Sequence, residues 1–473
     1  MKFDQRILDA ALRTDLASFI GKSQRVLQPA KLYLHGPHID AIAWHLHLCM
    51  TGKIKRLIIN MPPRYLKSVC TSVAFPAFLL GHDPTLRLLC LSYGDGLAGD
   101  LSRNCREIMQ STFYRDLFSG TRISASKNTE FLFTMTAGGF RRAASFGGPL
   151  TGLGGDMIII DDPLKADDAL SPSKRQEVID RFENTVSSRL DNKNDGCIIL
   201  VMQRLHLDDL TGHLLEKGGW TVLSLPAIAE VEQEIPIGSK ILWRRSPGDV
   251  LHPAYESLES LRKTQASMGS FLFSAQYLQR PVPEQGEIFK WEWFKIYDAL
   301  PVFRNGESYV MSIDTAKKDG ERNDYNVFTI WQIKHGNYFL VDVFRQKMIY
   351  PELKKAVYEV AAKYPSIDLL FEDSASGTSL YQEVYRLRGP TMNRVTAIRP
   401  EGDKGTRAST VSAIVESGQV FLPRQAPWLE AFRNEFLQFP NARHDDIVDS
   451  LVQFLKEEKR IKGTVTAMKL GGL

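Results

Sequence analysis

Lys67 and Ser68 follow a short apolar run, Leu57-Ile58-Ile59-Asn60, and a tight loop, Met61-Pro62-Pro63-Arg64-Tyr65-Leu66. A strand, a loop and a Lys-Ser pair opening a helix is an arrangement in which backbone amides and a helix N-terminus hold phosphates. The Lys67 ammonium would pair with β and γ phosphates, and the Ser68 hydroxyl would ligate Mg²⁺. A second apolar run, Met157-Ile158-Ile159-Ile160, ends in Asp161-Asp162-Pro163. A carboxylate at such a strand end can hold the water shell of Mg²⁺, and the acid after it can polarise an attacking water. Two features depart from that pattern. The usual loop glycines would fall at Met61 and Leu66, and the second acid is Asp162 where Glu is usual. Gln203 follows a third apolar run and is placed either to sense a γ-phosphate or to make an ordinary strand-to-loop junction. The glycine-rich stretch 146–155 would touch substrate or merely turn.

The second group of reactive residues is carboxylates. Asp314 closes the run Ser312-Ile313, Glu372 and Asp373 close Leu369-Leu370-Phe371, and Asp445, Asp446 and Asp449 open the last helical pattern. On a helix Asp445 and Asp449 share a face, and Asp446 is turned about 100° away. Which of the three would ligate a metal stays open. Acids gathered at one place repel one another unless cations neutralise them. Ligands that are all oxygen suit Mg²⁺ or Mn²⁺, and two such ions about 4 Å apart would clamp a phosphodiester for hydrolysis. Singly, each acid reads as a strand end or as a partner of the helix dipole; at three element ends together they favour a nuclease. Asp324 is a supplementary ligand or a loop aspartate. Lys404 and Arg407 would hold DNA phosphates or carry solvated charge.

The elements that must position these residues fall into two sets. Between Leu57 and Pro226 the runs Leu57–Asn60, Leu86–Tyr93, Phe131–Thr134, Met157–Ile160, Cys197–Val201 and Thr221–Leu225 alternate with helix-length segments. That alternation predicts an α/β domain with a mainly parallel sheet covered on both faces. Ser171-Pro172-Ser173 predicts a capped helix through Leu190. Three adjacent strands follow from Tyr309, at Tyr309–Asp314, Val327–Ile333 and Tyr338–Phe344. A helix near Leu353–Lys363, strands at Asp368–Phe371 and Val420–Leu422, and a last helix at His444–Arg460 come next. A three-strand meander followed by alternating helices and strands is the order of the RNase H fold. The expected division is a P-loop ATPase domain at 1–280, a proline-rich linker at 281–306, an RNase H-like domain at 307–460 and a frayed tail at 461–473.

Composition sets the outer bounds. The 473 residues are 43% hydrophobic and 24% charged, which is a globular balance, and the net charge of +4 permits a polyanionic partner without arguing for one. The five cysteines form no Cys-x-x-Cys pair, which excludes zinc ribbons and thiol redox motifs and favours a reducing, cytoplasmic compartment. The N-terminus alternates charge, and Val69–Leu80 is too short to span a bilayer and holds Pro76. No membrane partner is expected.

With these motifs quoted, the chain resembles the large terminase subunit of tailed phages and prophages from about His38 to Phe454. The resemblance rests on Pro-Pro-Arg-x-x-Lys-Ser at 62–68, Ile-Ile-Asp-Asp-Pro at 159–163, Arg204-Leu205-His206 with Asp208-Asp209-Leu210, and Gln276-Tyr277-x-Gln279-Arg280-Pro281. It continues through Asp314-x-Ala316, Glu372-Asp373-x-Ala375-x-Gly377 and His444-Asp445-Asp446. It implies an ATPase that drives double-stranded DNA into a preformed capsid and a nuclease that cuts the concatemer, with ATP and Mg²⁺ or Mn²⁺ as cofactors. Lys67, Ser68, Asp161 and Asp162 match the ATPase motifs, Arg64 an arginine of the phosphate loop, and the region of His38 an adenine-side segment. Asp314, Glu372 and Asp445/Asp446 match the nuclease acids. The partners implied are portal protein, small terminase subunit and further copies of the chain in a ring, a pentamer, on the procapsid in the host cytoplasm. Two other classes remain open at this point: a repair or helicase-like ATPase-nuclease, and a remnant that only docks on the portal.

Overall fold

The computed structural model describes residues 5–282, 288–304, 307–315, 325–373, 375–388, 391–400, 404–439 and 445–470, except the side chains of 127, 375, 376, 438 and 462–470. The chain forms two compact units, Met1–Thr264 with Leu272–Val282, and Gln265–Phe271 with Pro283–Leu473.

The first unit is built on eight strands: β1 (Arg56–Asn60), β2 (Arg87–Ser92), β3 (Ile123–Asn128), β4 (Leu132–Met135), β5 (Phe140–Ser145), β6 (Met157–Asp161), β7 (Cys197–Met202) and β8 (Thr221–Ser224). Their order across the sheet is β3-β4-β5-β2-β6-β7-β1-β8. From β5 to β8 every pairing is parallel, whereas β4 runs antiparallel to both β3 and β5. The sheet is therefore parallel where the phosphate motifs stand and mixed at one edge. β3 and β5 have no apolar run to announce them; Phe140-Arg141-Arg142-Ala143-Ala144-Ser145 is poor in the branched residues that mark strands.

Alternation of side chains explains the burial. Leu57, Ile59, Leu88, Cys90, Ile159, Ile199 and Val201 enter one core with Phe19, Ile42, Leu46, Phe75 and Phe78 from helical segments. Ile58, Leu89, Leu91, Ile158, Ile160, Ile198 and Leu200 enter the other with Val178, Ile179, Phe182 and Leu214. Strands buried on both faces must be apolar throughout, so β6 and β7 read as unbroken runs. The helix after Ser171 spans Pro172–Asn184 and gives way to a 3₁₀ turn at Val186–Arg189. The Ser171 side chain makes no cap hydrogen bond there, and Pro172 in the first turn sets the start. A small antiparallel pair, β9 (Gln233–Pro236) and β10 (Leu242–Arg245), lies outside the main sheet.

The second unit has seven strands: β11 (Lys295–Tyr297), β12 (Tyr309–Asp314), β13 (Asn326–Lys334), β14 (Asn337–Gln346), β15 (Ile367–Glu372), β16 (Met392–Ile398) and β17 (Val420–Pro423). The order is β11-β17-β14-β13-β12-β15-β16. β12, β13 and β14 form the antiparallel meander, and β15 adds beside β12 in parallel. One face packs Val310, Val327, Trp331 and Leu370 against Ile447, Val448, Leu451 and Leu455 of the final helix. The other packs Met311, Ile313, Phe328, Leu369 and Phe371 against Leu353, Val357, Leu380 and Val384.

Two boundaries differ from expectation. Residues 288–304, expected within a linker, bring Ile288, Phe289 and Phe294 into the core, and β11 pairs with β17. The final helix spans Asp446–Leu470 and so runs through Gly463, where fraying was expected. Residues 283–287 of the expected linker, Ala316, Asp324 and His444 lie outside the described residues.

Candidate active sites

In the first unit β1 and β6 end side by side with β7 between them, which brings the Lys-Ser loop and the paired aspartates together. The Lys67 ammonium lies 2.9 Å from an Asp162 carboxylate oxygen, and Lys67 is buried. The Ser68 hydroxyl donates to Asp161 Oδ1 at 3.0 Å, and the Ser72 hydroxyl donates to Asp161 Oδ2 at 2.6 Å. Burial raises the Asp161 carboxyl above the usual range, and the neighbouring Asp162 charge adds to this; Ser72, Lys67 and Ser68 oppose it. Arg64 and Leu66 take φ of 71° and 66°, and Asp162 takes 45°. The loop thus adopts the left-handed backbone that glycine normally supplies, with side chains in place.

Ser72 was not singled out in the sequence. Its spacing from Ser68 is the readable signal, since residues four apart meet on one helical face. The helix between them is unusual: Val69–Ala74 is a π-type turn, Phe75 N–H reaches back to the Cys70 carbonyl, and Phe75–His82 continues as α-helix with Pro76 in its first turn. π-type turns commonly mark functional sites.

A cavity of about 600 Å³ opens on these residues. His38, Arg64, Lys67, Ser68, Asp162 and Gln203 all line it, so the expected nucleotide residues meet in one place, with Asp161 bonded from beneath through Ser68. The volume suits a nucleotide-sized ligand. Gln203 N–H donates to Asp162 Oδ1 at 3.3 Å, and the buried Gln203 Oε1 has no hydrogen-bond partner. His38 is buried beside His252 and Tyr65, with ring centroids 5.1 and 6.0 Å away, and its Nδ1 is unpartnered. Desolvation, then the His252 charge, lowers its pKa to about 3, so it is neutral at physiological pH. Sequence reading missed His252, Tyr255 and Tyr33, which also line the cavity. A buried lysine, two hydroxyls on a buried carboxylate and an orphaned amide oxygen together fit a phosphate group with its magnesium ion.

Arg204, Asp209 and Gln279 of the remaining motifs bond one another. Arg204 pairs with the buried Asp209 at 3.0 Å, Asp209 caps the helix Leu210–Lys217, and Gln279 Oε1 accepts from Arg204 N–H at 2.9 Å.

In the second unit β12 and β15 are parallel neighbours, so Asp314 and Glu372 end at the same edge. The final helix opens there too. Desolvation first, then the charges of Asp449, Glu372 and Asp446, raises the Asp314 carboxyl well above the usual range, and Lys404 works against this. All the expected elements therefore contribute to one acidic cluster, with Asp449 in it beside Asp446. Asp445 lies just before the helix, and its carbonyl accepts from Asp449 N–H at 2.9 Å.

Lys404 and Arg407 face this cluster. The Lys404 ammonium lies 2.7 Å from Asp445 and 2.7 Å from Asp449, and Arg407 lies 3.4 Å from Asp449 and 3.6 Å from Glu372. Both cations, read from the sequence as DNA-phosphate contacts or solvated charge, are engaged with carboxylates. Among the described residues no three His, Cys, Asp or Glu side chains are grouped so as to hold a metal ion. The donors are of the right chemistry for Mg²⁺ or Mn²⁺, and the Lys404 ammonium lies between two of them, Asp445 and Asp449.

Polar residues behind the cluster fix the helix to the strands. Ser450 Oγ donates to the Ser312 carbonyl at 2.9 Å while Ser312 Oγ donates to the Ser450 carbonyl at 2.8 Å. Gln453 Nε2 donates to Ser312 Oγ and to the Leu370 carbonyl, each at 3.1 Å. Each contact is made two residues before a site acid, Asp314 or Glu372. Glu435 accepts from Ile447 N–H at 2.9 Å and pairs with Arg345 at 2.9 Å; burial raises its pKa to about 7. Ser450 and Gln453 were visible only as polar breaks in an apolar helix face, and Glu435 gave no signal at all.

Residues 311–458 match the family model described as the terminase RNase H-like domain. The second unit thus contains a region similar to a terminase RNase H-like domain. Over 87% of this chain and 98% of the other, the structure of the large terminase from a thermophilic bacteriophage aligns at 11% identity with a TM-score of 0.50, so the two share a fold. The same phage protein in complex with ADP aligns at 12% identity over 87% and 98% of the chains, with a TM-score of 0.47. The HK97 bacteriophage large terminase aligns at 11% identity over 92% and 99%, with a TM-score of 0.36. No curated protein matches the chain. No helix among the described residues is long and apolar enough to cross a membrane. The matched residues run from within β12 into the final helix, across the elements that carry Asp314, Glu372 and Asp446.

Proposed function

We propose that this chain is the large subunit of a phage DNA-packaging terminase, an ATPase that moves double-stranded DNA into a capsid and a nuclease that cuts the concatemer. The observation that carries the reading is that one chain joins a match to the terminase RNase H-like domain with a cavity where Lys67 pairs with Asp162 and Ser68 bonds Asp161. A repair enzyme of the same two activities is not favoured, because the matched domain family is a terminase one.

In the ATPase site the chain's own residues suggest an exchange of partners. Lys67 is paired with Asp162. Incoming β and γ phosphates take the ammonium, and Asp162 is released to orient an attacking water and accept its proton. Gln203, bonded to Asp162 through its N–H, presents its free Oε1 to the same water. Arg64, Ser68 and His38 line the same cavity; Arg64 and Ser68 are the proposed phosphate contacts and His38 the proposed adenine-side residue. Ser68 and Asp161 are the residues that would hold a magnesium ion, which would supply neutralisation of the phosphate charge. In the second unit Asp314, Glu372, Asp445 and Asp446 are the proposed ligands for Mg²⁺ or Mn²⁺, and Lys404 and Arg407 the residues nearest an incoming DNA phosphate.

Portal protein, a small terminase subunit and a ring of this chain on the procapsid complete the proposal, in the host cytoplasm. A single ATPase site of this kind normally takes an arginine from a neighbour. ATP turnover per chain is therefore measured against protein concentration and added procapsid. A rise with either supports the ring, and a flat response to both argues for a site complete within one chain.

A further inference from the structure

Arg141 is the least expected residue of the first unit. It lies on β5, opposite Leu88 of β2, on the face that packs against the helix after the phosphate loop. Its relative exposure is 0%, and no salt bridge to it exists among the described residues. Nε and Nη1 have no hydrogen-bond partner, and only Nη2 is engaged, donating to the Ser72 carbonyl at 3.0 Å. A buried cation without an acid is costly and persists where something requires it.

The sequence says what requires it. In an α-helix the Ser72 carbonyl would accept from the N–H of residue 76, and residue 76 is proline, which has none. The helix meets Pro76 with a π-type turn over Val69–Ala74, and the carbonyl that proline cannot serve is the one Arg141 serves. The same residue, Ser72, holds Asp161 Oδ2 through its hydroxyl at 2.6 Å. Burial raises the Cys90 thiol on the adjoining strand β2; the Arg141 charge opposes this and the Asp161 charge adds to it.

We propose that Arg141 is a positioning residue of the ATPase site: by binding the Ser72 carbonyl it fixes the π-type turn so that the Ser72 hydroxyl holds Asp161. The inference rests on the ATPase reading above, and its effect passes through Ser72 and Asp161 with no contact to nucleotide. A residue serving only stability would show itself differently, since replacing an unpaired buried cation with an apolar side chain of similar length removes a desolvation cost.

The full-length chain is tested as Arg141→Met, Ser72→Ala and the double variant. For Arg141→Met we expect a melting temperature at or above the wild type, faster amide hydrogen exchange over 69–76 in nucleotide-free protein, and ATP turnover at least tenfold lower with KM within about threefold. Ser72→Ala gives a similar drop in turnover, and the double variant falls no further than the larger single effect, because both changes break one chain of contacts. Arg141→Met with Pro76→Ala, which restores an N–H to the helix, recovers part of the turnover. The proposal is overturned if Ser72→Ala turns over ATP normally, if the two effects multiply, or if exchange over 69–76 is unchanged in Arg141→Met. A wild-type chain that hydrolyses no ATP overturns the ATPase reading instead, while the exchange result still decides whether Arg141 fixes the turn.

Discussion

Leu66 and Arg64 hold the backbone conformation that a phosphate loop usually leaves to glycine, and this is the sharpest disagreement between motif and molecule at the scale of residues. The missing glycines made Lys67 look like a weak signal, yet its ammonium meets Asp162 of the second motif. The strain is measurable. Left-handed backbone costs a non-glycine residue about 1–2 kcal/mol, and glycine returns about 0.5–1 kcal/mol of that through its freer unfolded chain. Arg64 is exposed, so Arg64→Gly should raise thermal stability slightly, by about 0.5 kcal/mol, while raising KM for ATP; chemical denaturation and steady-state kinetics check both halves. Loss of stability would mean that the Arg64 side chain itself holds the loop. In the other unit Lys404 stands between Asp445 and Asp449 where a divalent cation would compete with it. Lys404→Met should lower the melting temperature in EDTA, and Mn²⁺ should restore it by a larger increment than in the wild type, an increment that Asp314→Asn abolishes. An equal or smaller increment would mean that Lys404 assists metal binding. Its spacing from the acids in sequence gave no hint of this pairing, because charges in a loop-to-helix segment read as solvated.

Among the elements, the runs that were easiest to read are those that the physics constrains twice. Met157–Ile160 of β6 and all of β7 are buried on both faces and are apolar throughout. β5 escaped notice for the opposite reason, since its two arginines and two alanines carry no strand signal and its partner β2 imposes the conformation. The final helix was legible from its apolar face, but what fixes its acids against the strands is polar: Ser450 and Gln453 bonded to Ser312 and Leu370. A buried acceptor left without its donor costs about 1–3 kcal/mol. Gln453→Leu should therefore lose about that much stability in urea unfolding of the cleavage domain and should slow DNA cleavage more than ATP turnover. Equal loss of both activities would mean that the network serves the fold alone and sets no site geometry.

At the scale of the molecule, two kinds of α/β unit could be read in order along the chain, and the boundary between them could not. Residues 281–306 read as a connector because prolines, glycines and aromatics outnumber any periodic pattern, yet Phe289 and Phe294 pack on Phe436 with ring centroids 5.2 and 5.3 Å away. A fragment beginning at Pro283 should accordingly fold and melt cooperatively, whereas one beginning at Glu307 should lose β11 and these ring contacts and melt lower or aggregate. Equal melting of the two fragments would return 288–304 to the status of a linker. The central claim, that one chain carries two separate hydrolytic sites of a packaging enzyme, is tested most directly by measuring ATP turnover and plasmid cleavage side by side in wild type, Lys67→Ala and Asp314→Asn, with Mg²⁺ and with Mn²⁺. The account predicts that Lys67→Ala abolishes ATP turnover and still cuts DNA, and that Asp314→Asn stops cutting and still turns over ATP. Normal cleavage by Asp314→Asn, or normal ATP turnover by Lys67→Ala, would contradict it.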